Sequence, residues 1–155
     1  MYKKILAPLD GSPLSECSLE HVKTIAIGCH FPEVILLKVV APLSYSMTSE
    51  MALEAKTLKE IDDIQMAEAK KYISKTVQKL NKEGVAARGE VLSGKVEEQI
   101  LNYADKNNID LIVMSTHGRS GVTRWALGSV ADKVVRHSKV PVLIIAPAGC
   151  RITQT

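Results

Sequence analysis

Apolar residues follow two different spacings along this chain, and the two spacings alternate from one end to the other. Short segments rich in Val, Ile and Leu are typical of strands that are buried on both faces of a sheet. Between them, apolar residues recur every three or four positions, as on one face of a helix. The predicted strands are 4–9, 34–40, 85–92, 111–114 and 140–146.

Turn and capping residues mark the helices between these strands. Ser12 followed by Pro13 is typical of a helix start, and Gly28 is expected to end that first helix. A later stretch without Gly or Pro predicts a long helix at 65–82, preceded by a weaker helical segment at 50–61. Two shorter helices are predicted at 95–106 and 129–137.

Strands that alternate with helices predict βαβ units and a parallel sheet with helices on both faces. Ligands of such sheets bind beyond the carboxyl ends of the strands, where the strand order reverses. Asp10 follows the first strand, Val39 lies near the end of the second, and residues 115–121 follow the fourth, so we expect them to converge there. The sequence thus predicts one α/β domain over 1–148 with a flexible tail at 149–155.

Composition changes this picture little, but it removes several classes of function. The 155 residues carry 20 basic and 17 acidic side chains, and the net charge of +3 is too small and too evenly spread for a nucleic-acid binder. Three widely spaced cysteines form neither a disulfide framework nor a metal pattern, so we interpret them as reduced thiols. The chain shows neither a signal peptide nor a membrane span, which indicates a soluble, cytoplasmic protein.

The most distinctive stretch, residues 114–129, lies between the fourth strand and the fourth helix. It holds three glycines, five hydroxyl residues and two arginines. Glycines let a backbone approach a ligand closely, and the N–H groups at the start of the following helix suit a phosphate. The sequence therefore favours an anion site here. The alternative is an ordinary loop in which the glycines serve turns and Ser129 caps the helix.

Other motifs are weaker or absent. Residues 89–95 match the GxxxxGK pattern of a phosphate-binding P-loop, but Val96 stands where a hydroxyl residue is needed and the segment has the pattern of a strand, so we reject it. His, Cys and carboxylate residues do not have the spacing of a metal site, and no catalytic triad is recognisable. His117 either binds a nucleotide or fixes a turn. Asp10 either binds ribose or a base amino group, or caps its own turn.

The spacing Ser115-xx-Gly118, followed after nine residues by Gly128-Ser129, resembles the nucleotide loop of the universal stress protein family, whose ATP-binding members have glycine at the first position. Residues 3–12 and 140–145 resemble that family too. The resemblance implies a single-domain, Rossmann-like α/β fold: an open parallel five-stranded sheet in order 3-2-1-4-5 with helices on both faces. It also implies homodimers and bound ATP, or ADP or AMP, with or without Mg²⁺.

Twelve residues receive roles from this resemblance. Those implied to line the ribose and the adenine ring are Pro8, Leu9, Asp10, Val39 and Met114. Those implied to surround the phosphates and the ribose are Ser115, His117, Gly118, Gly121, Gly128, Ser129 and Val130. Ser115 is a departure, because it replaces the first glycine of the family pattern. Its Cβ would crowd a nucleotide only if the backbone there requires a positive φ.

Three hypotheses of function follow. The leading one is an adenine-nucleotide-binding protein with a regulatory role in the stress response. The second is an interaction module of the same fold that binds no nucleotide, which the departure at Ser115 supports. The third is a slow ATP hydrolase, which lacks an evident second carboxylate for Mg²⁺ and an evident base. The apolar last strand, 140–146, predicts a homodimer joined through that edge.

Overall fold

The computed structural model describes residues 3–30, 33–43, 55–116 and 127–146. Strands and helices alternate throughout these ranges, as predicted. The strands are β1 (Lys4–Pro8), β2 (Glu33–Val40), β3 (Ala87–Ser93), β4 (Leu111–Ser115) and β5 (Val142–Ile145). The helices are α1 (Pro13–Gly28), α2 (Ala55–Lys82), α3 (Val96–Lys106) and α4 (Ser129–His137).

The five strands form one parallel sheet in the order β3-β2-β1-β4-β5, which confirms the predicted fold class. β1 lies at the centre and pairs with β2 on one side and with β4 on the other. The chain therefore builds one half of the sheet outward from β1, then returns to β1 and builds the other half. The strand order reverses between β1 and β4, and a crevice is expected at that point.

Two apolar layers hold the helices on the sheet. Ile5 and Ala7 of β1 face the layer that contains the inward residues of α1 and α2. Leu6, between them, faces the layer that contains the inward residues of α3 and α4. All three side chains are fully buried, as are Val34 and Ile35 in β2. A central strand covered on both faces has no polar side to alternate with, which explains the continuous apolar runs in the sequence.

The start of α1 follows the predicted capping pattern. The Ser12 side chain accepts a hydrogen bond from the backbone N–H of Ser15 at 3.1 Å, and Pro13 is the first helical residue. Gly28 is the last helical residue, and the backbone N–H of Cys29 closes the end by donating to the Ile25 carbonyl at 2.9 Å. The sequence therefore predicted both ends of this helix correctly.

The predicted interruption in the second helix is wrong, because α2 runs without a break from Ala55 to Lys82. The predicted gap between the two helical segments falls at residues 62–64, where two aspartates precede Ile64. Asp62 instead supplies a polar contact: its carboxylate accepts a hydrogen bond from the backbone N–H of Leu43 at 3.1 Å. Residues 50–54 lie outside the described residues. The last strand is also shorter than predicted, at Val142–Ile145 instead of 140–146.

The cysteines differ from one another. Cys17 in α1 is disulfide-bonded, so the interpretation of all three as reduced thiols is wrong for this residue. Cys29 is free and exposed. Cys150 and the predicted tail at 149–155 lie outside the described residues.

Two further sequence interpretations can be compared with the described ranges. The rejected P-loop match places Gly89 to Leu92 within β3, so the strand interpretation of that segment is confirmed. No helix in the described part of the chain has an apolar stretch long enough to cross a membrane.

A close contact between α2 and β3 generates the first prediction. A Cβ added to Gly89 would lie 2.2 Å from Cγ2 of Ile73 and 3.2 Å from Cγ2 of Val77. We expect Gly89→Ala to lower the free energy of unfolding by about 1–3 kcal/mol, the usual cost of overpacking, because α2 must move away from the sheet. Urea denaturation followed by circular dichroism measures the change.

Gly28→Ala is the matched control for Gly89→Ala. No heavy atom lies within 4 Å of a Cβ placed on Gly28, and its φ is not positive. We expect its free energy of unfolding to change by less than about 0.5 kcal/mol. Equal stabilities for the two variants would show that the α2–β3 contact is not tight.

Candidate functional site

A pocket of about 350 Å³ opens at the carboxyl ends of β1, β2 and β4, where the strand order reverses. This volume lies within the range of about 300–1,000 Å³ that is typical of small-molecule sites. The predicted site residues that line it are Pro8, Leu9, Asp10, Val39, Met114, Ser115, Gly128, Ser129 and Val130. The other predicted site residues, His117, Gly118 and Gly121, lie outside the described residues. The structure thus brings together predicted residues from four separate segments of the chain, 8–10, 39, 114–115 and 128–130.

The inner part of the pocket is apolar. Leu37 and Val39 of β2 and Met114 of β4 line it from the sheet. Ile100 lines it from α3, and Ala131 lines it from α4. Leu37, Ile100 and Ala131 are almost completely buried, so the apolar wall is continuous with the core between the sheet and these two helices. Such a surface can bury the face of a flat ring system by the hydrophobic effect.

The start of α4 forms a polar part of the rim. Gly128 is the N-cap, so the predicted alternative that Ser129 caps the helix is wrong; Ser129 is the first helical residue. No side chain in the described part of the chain caps this helix. The backbone N–H of Gly128 donates to the Thr116 carbonyl at 2.8 Å, and that of Asp132 donates to the Gly128 carbonyl at 2.8 Å. The amides at 129–131 precede the first intrahelical bond and lie at the positive end of the helix dipole, which suits an anion.

Gly128 lines the pocket without an unusual backbone conformation. Its φ is −61° and its ψ is 155°, values that any residue can adopt. Backbone conformation alone therefore does not require glycine at this position.

Ser115 raises no conformational obstacle to a ligand. It is the last residue of β4, pairs with Ile145 of β5, and is buried. Within the described ranges, the residues other than glycine with a positive φ are His30 and Asn108, so the Ser115 backbone is not in the left-handed region. The Cβ that replaces the family glycine is accommodated without strain.

Asp10 lies at the mouth of the pocket and caps its own turn. One carboxylate oxygen accepts a hydrogen bond from the backbone N–H of Ser12 at 2.8 Å. Burial raises the pKa of Asp10, but hydrogen bonds from Ser12 and Ser15 and the positive charge of Lys38 outweigh it, so the pKa lies below its usual value of 3.8. The carboxylate is therefore negatively charged at neutral pH. The turn-capping role is confirmed, and a role in ligand binding stays a prediction.

Sequence reasoning missed six of the lining residues: Ser15, Leu37, Val96, Ile100, Thr116 and Ala131. Val96 and Ile100 belong to the apolar stripe of α3. Helical periodicity predicts that such a stripe faces the core, but it does not show which of its residues also line a pocket. Ser15 is buried, and its hydroxyl donates to the Ser12 carbonyl at 3.0 Å. Its position three residues after the N-cap was the available signal.

An ion pair joins the two helices that flank the apolar wall. The ammonium of Lys133 in α4 lies 2.6 Å from a carboxylate oxygen of Glu97 in α3. This hydrogen bond is the main cause that lowers the pKa of Glu97. The pair links α3 to α4 across the protein surface, in addition to the apolar contacts between these helices. Among the described residues, no group of three His, Cys, Asp or Glu side chains is arranged to hold a metal ion.

Comparison with known sequences gives consistent matches over the whole described fold. A family model described as the Universal stress protein family matches residues 1–146. The chain is 34% identical over 146 residues to Universal stress protein MJ0531 of Methanocaldococcus jannaschii, a match that covers 94% of this chain and 82% of the relative. It is 30% identical over 155 residues to Universal stress protein MJ0577 of the same organism, covering 94% of this chain and 95% of the relative.

Comparison with solved structures agrees. The fold superposes on universal stress protein UspA from Lactobacillus plantarum with a TM-score of 0.80 and 27% sequence identity. That match covers 92% of this chain and 97% of the other.

The turn at Asp10 generates the second prediction. Asp10→Ala removes the acceptor for the Ser12 N–H, so we expect the free energy of unfolding to fall by about 1–3 kcal/mol. Asp10→Asn keeps an oxygen acceptor and is expected to lose less. Urea denaturation of both variants at pH 7 measures the difference.

The pH dependence of the same variants provides a check on the charge. The folded state lowers the pKa of Asp10, so the ionised carboxylate adds to the free energy of unfolding. This contribution is fully present above the ordinary pKa of 3.8 and is lost as the pH falls through the lowered folded-state pKa. The stability gap between the wild type and Asp10→Asn should therefore close in acid. A gap that is the same at pH 7 and in strong acid would contradict an ionised Asp10.

Proposed function

The chain belongs to the universal stress protein family, and from that premise we propose that it binds an adenine nucleotide, ATP or its relatives ADP and AMP, in the pocket at the β1–β4 crevice. Occupancy of this pocket would regulate the shape or the partners of the protein in a stress response. One observation carries the proposal: an apolar wall lies between an ionised carboxylate and a helix start without a side-chain cap.

Each part of the pocket suits a different part of a nucleotide. The wall of Val39, Met114 and Ile100 would receive the base, because an aromatic ring gains most from burial against apolar side chains. Asp10 would accept hydrogen bonds from the sugar or from a base amino group, since an ionised carboxylate only accepts them. The α4 start would receive the phosphates through its backbone N–H groups. Gly118 and Gly121 keep the phosphate-binding role that the resemblance implies.

Two proteins of this fold are described with an adenine nucleotide. One is a universal stress protein in complex with cAMP, 24% identical with a TM-score of 0.67. The other is an Arabidopsis thaliana family member with AMP bound, 17% identical with a TM-score of 0.66. At these identities the likeness shows the fold alone, so the residues of this pocket support the proposal by themselves.

The second candidate, an interaction module that binds no nucleotide, loses much of its support. It rested on a possible clash at Ser115, and the backbone there does not require glycine. The two candidates are separated by releasing small molecules from the freshly purified protein with denaturant and identifying them by mass spectrometry. Adenine nucleotide in the extract supports the proposal.

Titration calorimetry with ATP, ADP, AMP and GTP tests the proposal quantitatively and generates the third prediction. We expect micromolar binding of an adenine nucleotide, worth about 8 kcal/mol. Gly128→Val should abolish it, because it adds bulk at a lining residue next to the α4 start, while the backbone angles there remain allowed for valine. Ser115→Gly should change the affinity by less than about tenfold, or 1.4 kcal/mol.

Several outcomes of this titration would count against the proposal. Absence of heat with every nucleotide, for the wild type and for Ser115→Gly alike, would favour the interaction module. Binding by Ser115→Gly alone would identify the serine as a block. Thermal unfolding of empty Gly128→Val serves as the control for folding, since valine is a poorer N-cap than glycine. Turnover of ATP well above that of buffer would support the slow hydrolase instead.

We also propose a homodimer joined through β5. This strand is an edge of the sheet, and among the described strands it pairs with β4 alone. Leu143 is 37% exposed, and Val142 and Ile144 are partly exposed. An apolar edge with free backbone groups invites pairing with another strand, and a second copy would cover it symmetrically.

The fourth prediction tests this dimer with a variant that leaves the monomer intact. Leu143→Glu places a charge on the exposed part of β5, so it should convert the dimer to a folded monomer in light scattering. Ile145 is buried in the core, so a charge there would unfold the protein and is not diagnostic. Ile27→Glu, at an exposed apolar residue on α1, is the control and should stay dimeric. A monomeric wild type at micromolar concentration would contradict the proposal.

A further inference from the structure

We infer that Lys38 is a positioning residue for the nucleotide site: it holds the Asp10 turn in place so that the Asp10 carboxylate faces the ligand. The inference rests on the proposed function. Lys38 lies near the end of β2, and its ammonium donates a hydrogen bond to the backbone carbonyl of Asp10 at 2.7 Å. The last backbone bond between the two strands is from the N–H of Leu9 to the Leu37 carbonyl at 2.8 Å. Lys38 supplies the next cross-link, at the point where β1 has ended.

Asp10 lies between two cavities, so a cross-link from the sheet would help to fix the position of its turn. A second pocket, of about 610 Å³, lies on the far side of the turn, between the end of β2 and α2. Asp10, Val39 and Val96 line both pockets. Asp10 therefore borders both cavities, and contacts with the strands and helices around it determine where its carboxylate lies. Its bonds from Ser12 are local and move with the turn, whereas Lys38 ties it to the sheet.

The Lys38 ammonium is itself held in a defined place. It lies 5.3 Å from the centre of the Tyr72 ring of α2, within the range of a cation–π interaction. On its other side, a Cβ added to Gly11 would lie 3.4 Å from the ammonium nitrogen. Burial is the main cause that raises the pKa of the Tyr72 hydroxyl, so the ring stays neutral at physiological pH. Lys38 thus spans from β2 to the turn with α2 as its support.

Packing alone does not explain a lysine at this position. The strand reads Glu33-Val-Ile-Leu-Leu-Lys-Val-Val40, and its other interior residues are apolar. A partly buried ammonium loses hydration, so a methionine or leucine would fill the same space at lower cost. The charge also lowers the pKa of Asp10 and so favours the ionised form that accepts hydrogen bonds. A cation at this position therefore does what an apolar residue could not: it donates a hydrogen bond to the Asp10 turn.

A double-mutant cycle between Lys38 and Asp10 tests this inference by calorimetry with ATP. Lys38→Met keeps the length of the side chain and removes its charge, and we expect it to weaken binding about tenfold. In an Asp10→Asn background, the same change should alter the affinity by less than about twofold, because the carboxylate that Lys38 positions is already absent. Lys38→Arg, which can still donate to the Asp10 carbonyl, should restore most of the affinity.

A role that is only structural would give a different pattern. It would lower the melting temperature of the empty protein and weaken binding equally with and without the Asp10 carboxylate, and that result would overturn the inference. Wild-type affinity in Lys38→Met would overturn it too. Lys38→Gln replaces Lys38→Met in the cycle if the latter does not fold. Absence of nucleotide binding by the wild type would overturn the proposed function and the inference together, whereas the other results bear on Lys38 alone.

Discussion

The reversal of strand order beside β1 is the constraint on which the rest of this structure depends. Parallel strands joined by right-handed crossovers must leave the sheet on the face where the next helix packs. The first crossovers place α1 and α2 on one face, and the later ones place α3 and α4 on the other. Between β1 and β4 the connections therefore diverge, and the described residues at the carboxyl ends of these strands line a pocket. A pocket follows from topology before any side chain is chosen.

Side chains then determine what this pocket can hold. The apolar wall of the pocket is part of the core between the sheet and the helices α3 and α4. The same residues therefore stabilise the fold and line the pocket. The polar groups are few, and local geometry fixes each of them: Asp10 is fixed by hydrogen bonds within its turn, and the α4 amides by the helix itself. The described part of the pocket is therefore formed by residues of helices and strands, or by residues bonded to them.

The sequence predicted the architecture well because strands and helices here obey simple patterns. The Ser12-Pro13 pair placed α1, and the apolar runs placed β2 and β4. The prediction of a break in the second helix failed at Asp62, where the helical apolar spacing is interrupted. This side chain instead accepts a hydrogen bond from Leu43, which lies nineteen positions away in the chain. Turn residues and glycines of the candidate site could be predicted from the sequence. Ile100 could not, because the apolar pattern of a helix does not show which of its buried residues also line a pocket. Gly128 lines the pocket with an ordinary φ, so backbone conformation does not require glycine there, and its role in ligand binding stays a prediction.

The division of the sheet at β1 also has a consequence for how the protein folds. One half, from β1 to β3, can assemble from residues close in sequence, whereas β4 must return to β1 across about a hundred residues. The pocket takes one wall from the first half and the opposite wall from the second, so it does not exist until the two halves have docked. A ligand that binds there adds its free energy only to the fully assembled chain, by mass action. Such a ligand would therefore stabilise the pairing of β1 with β4, which is distant in sequence, and would oppose local opening of the second half.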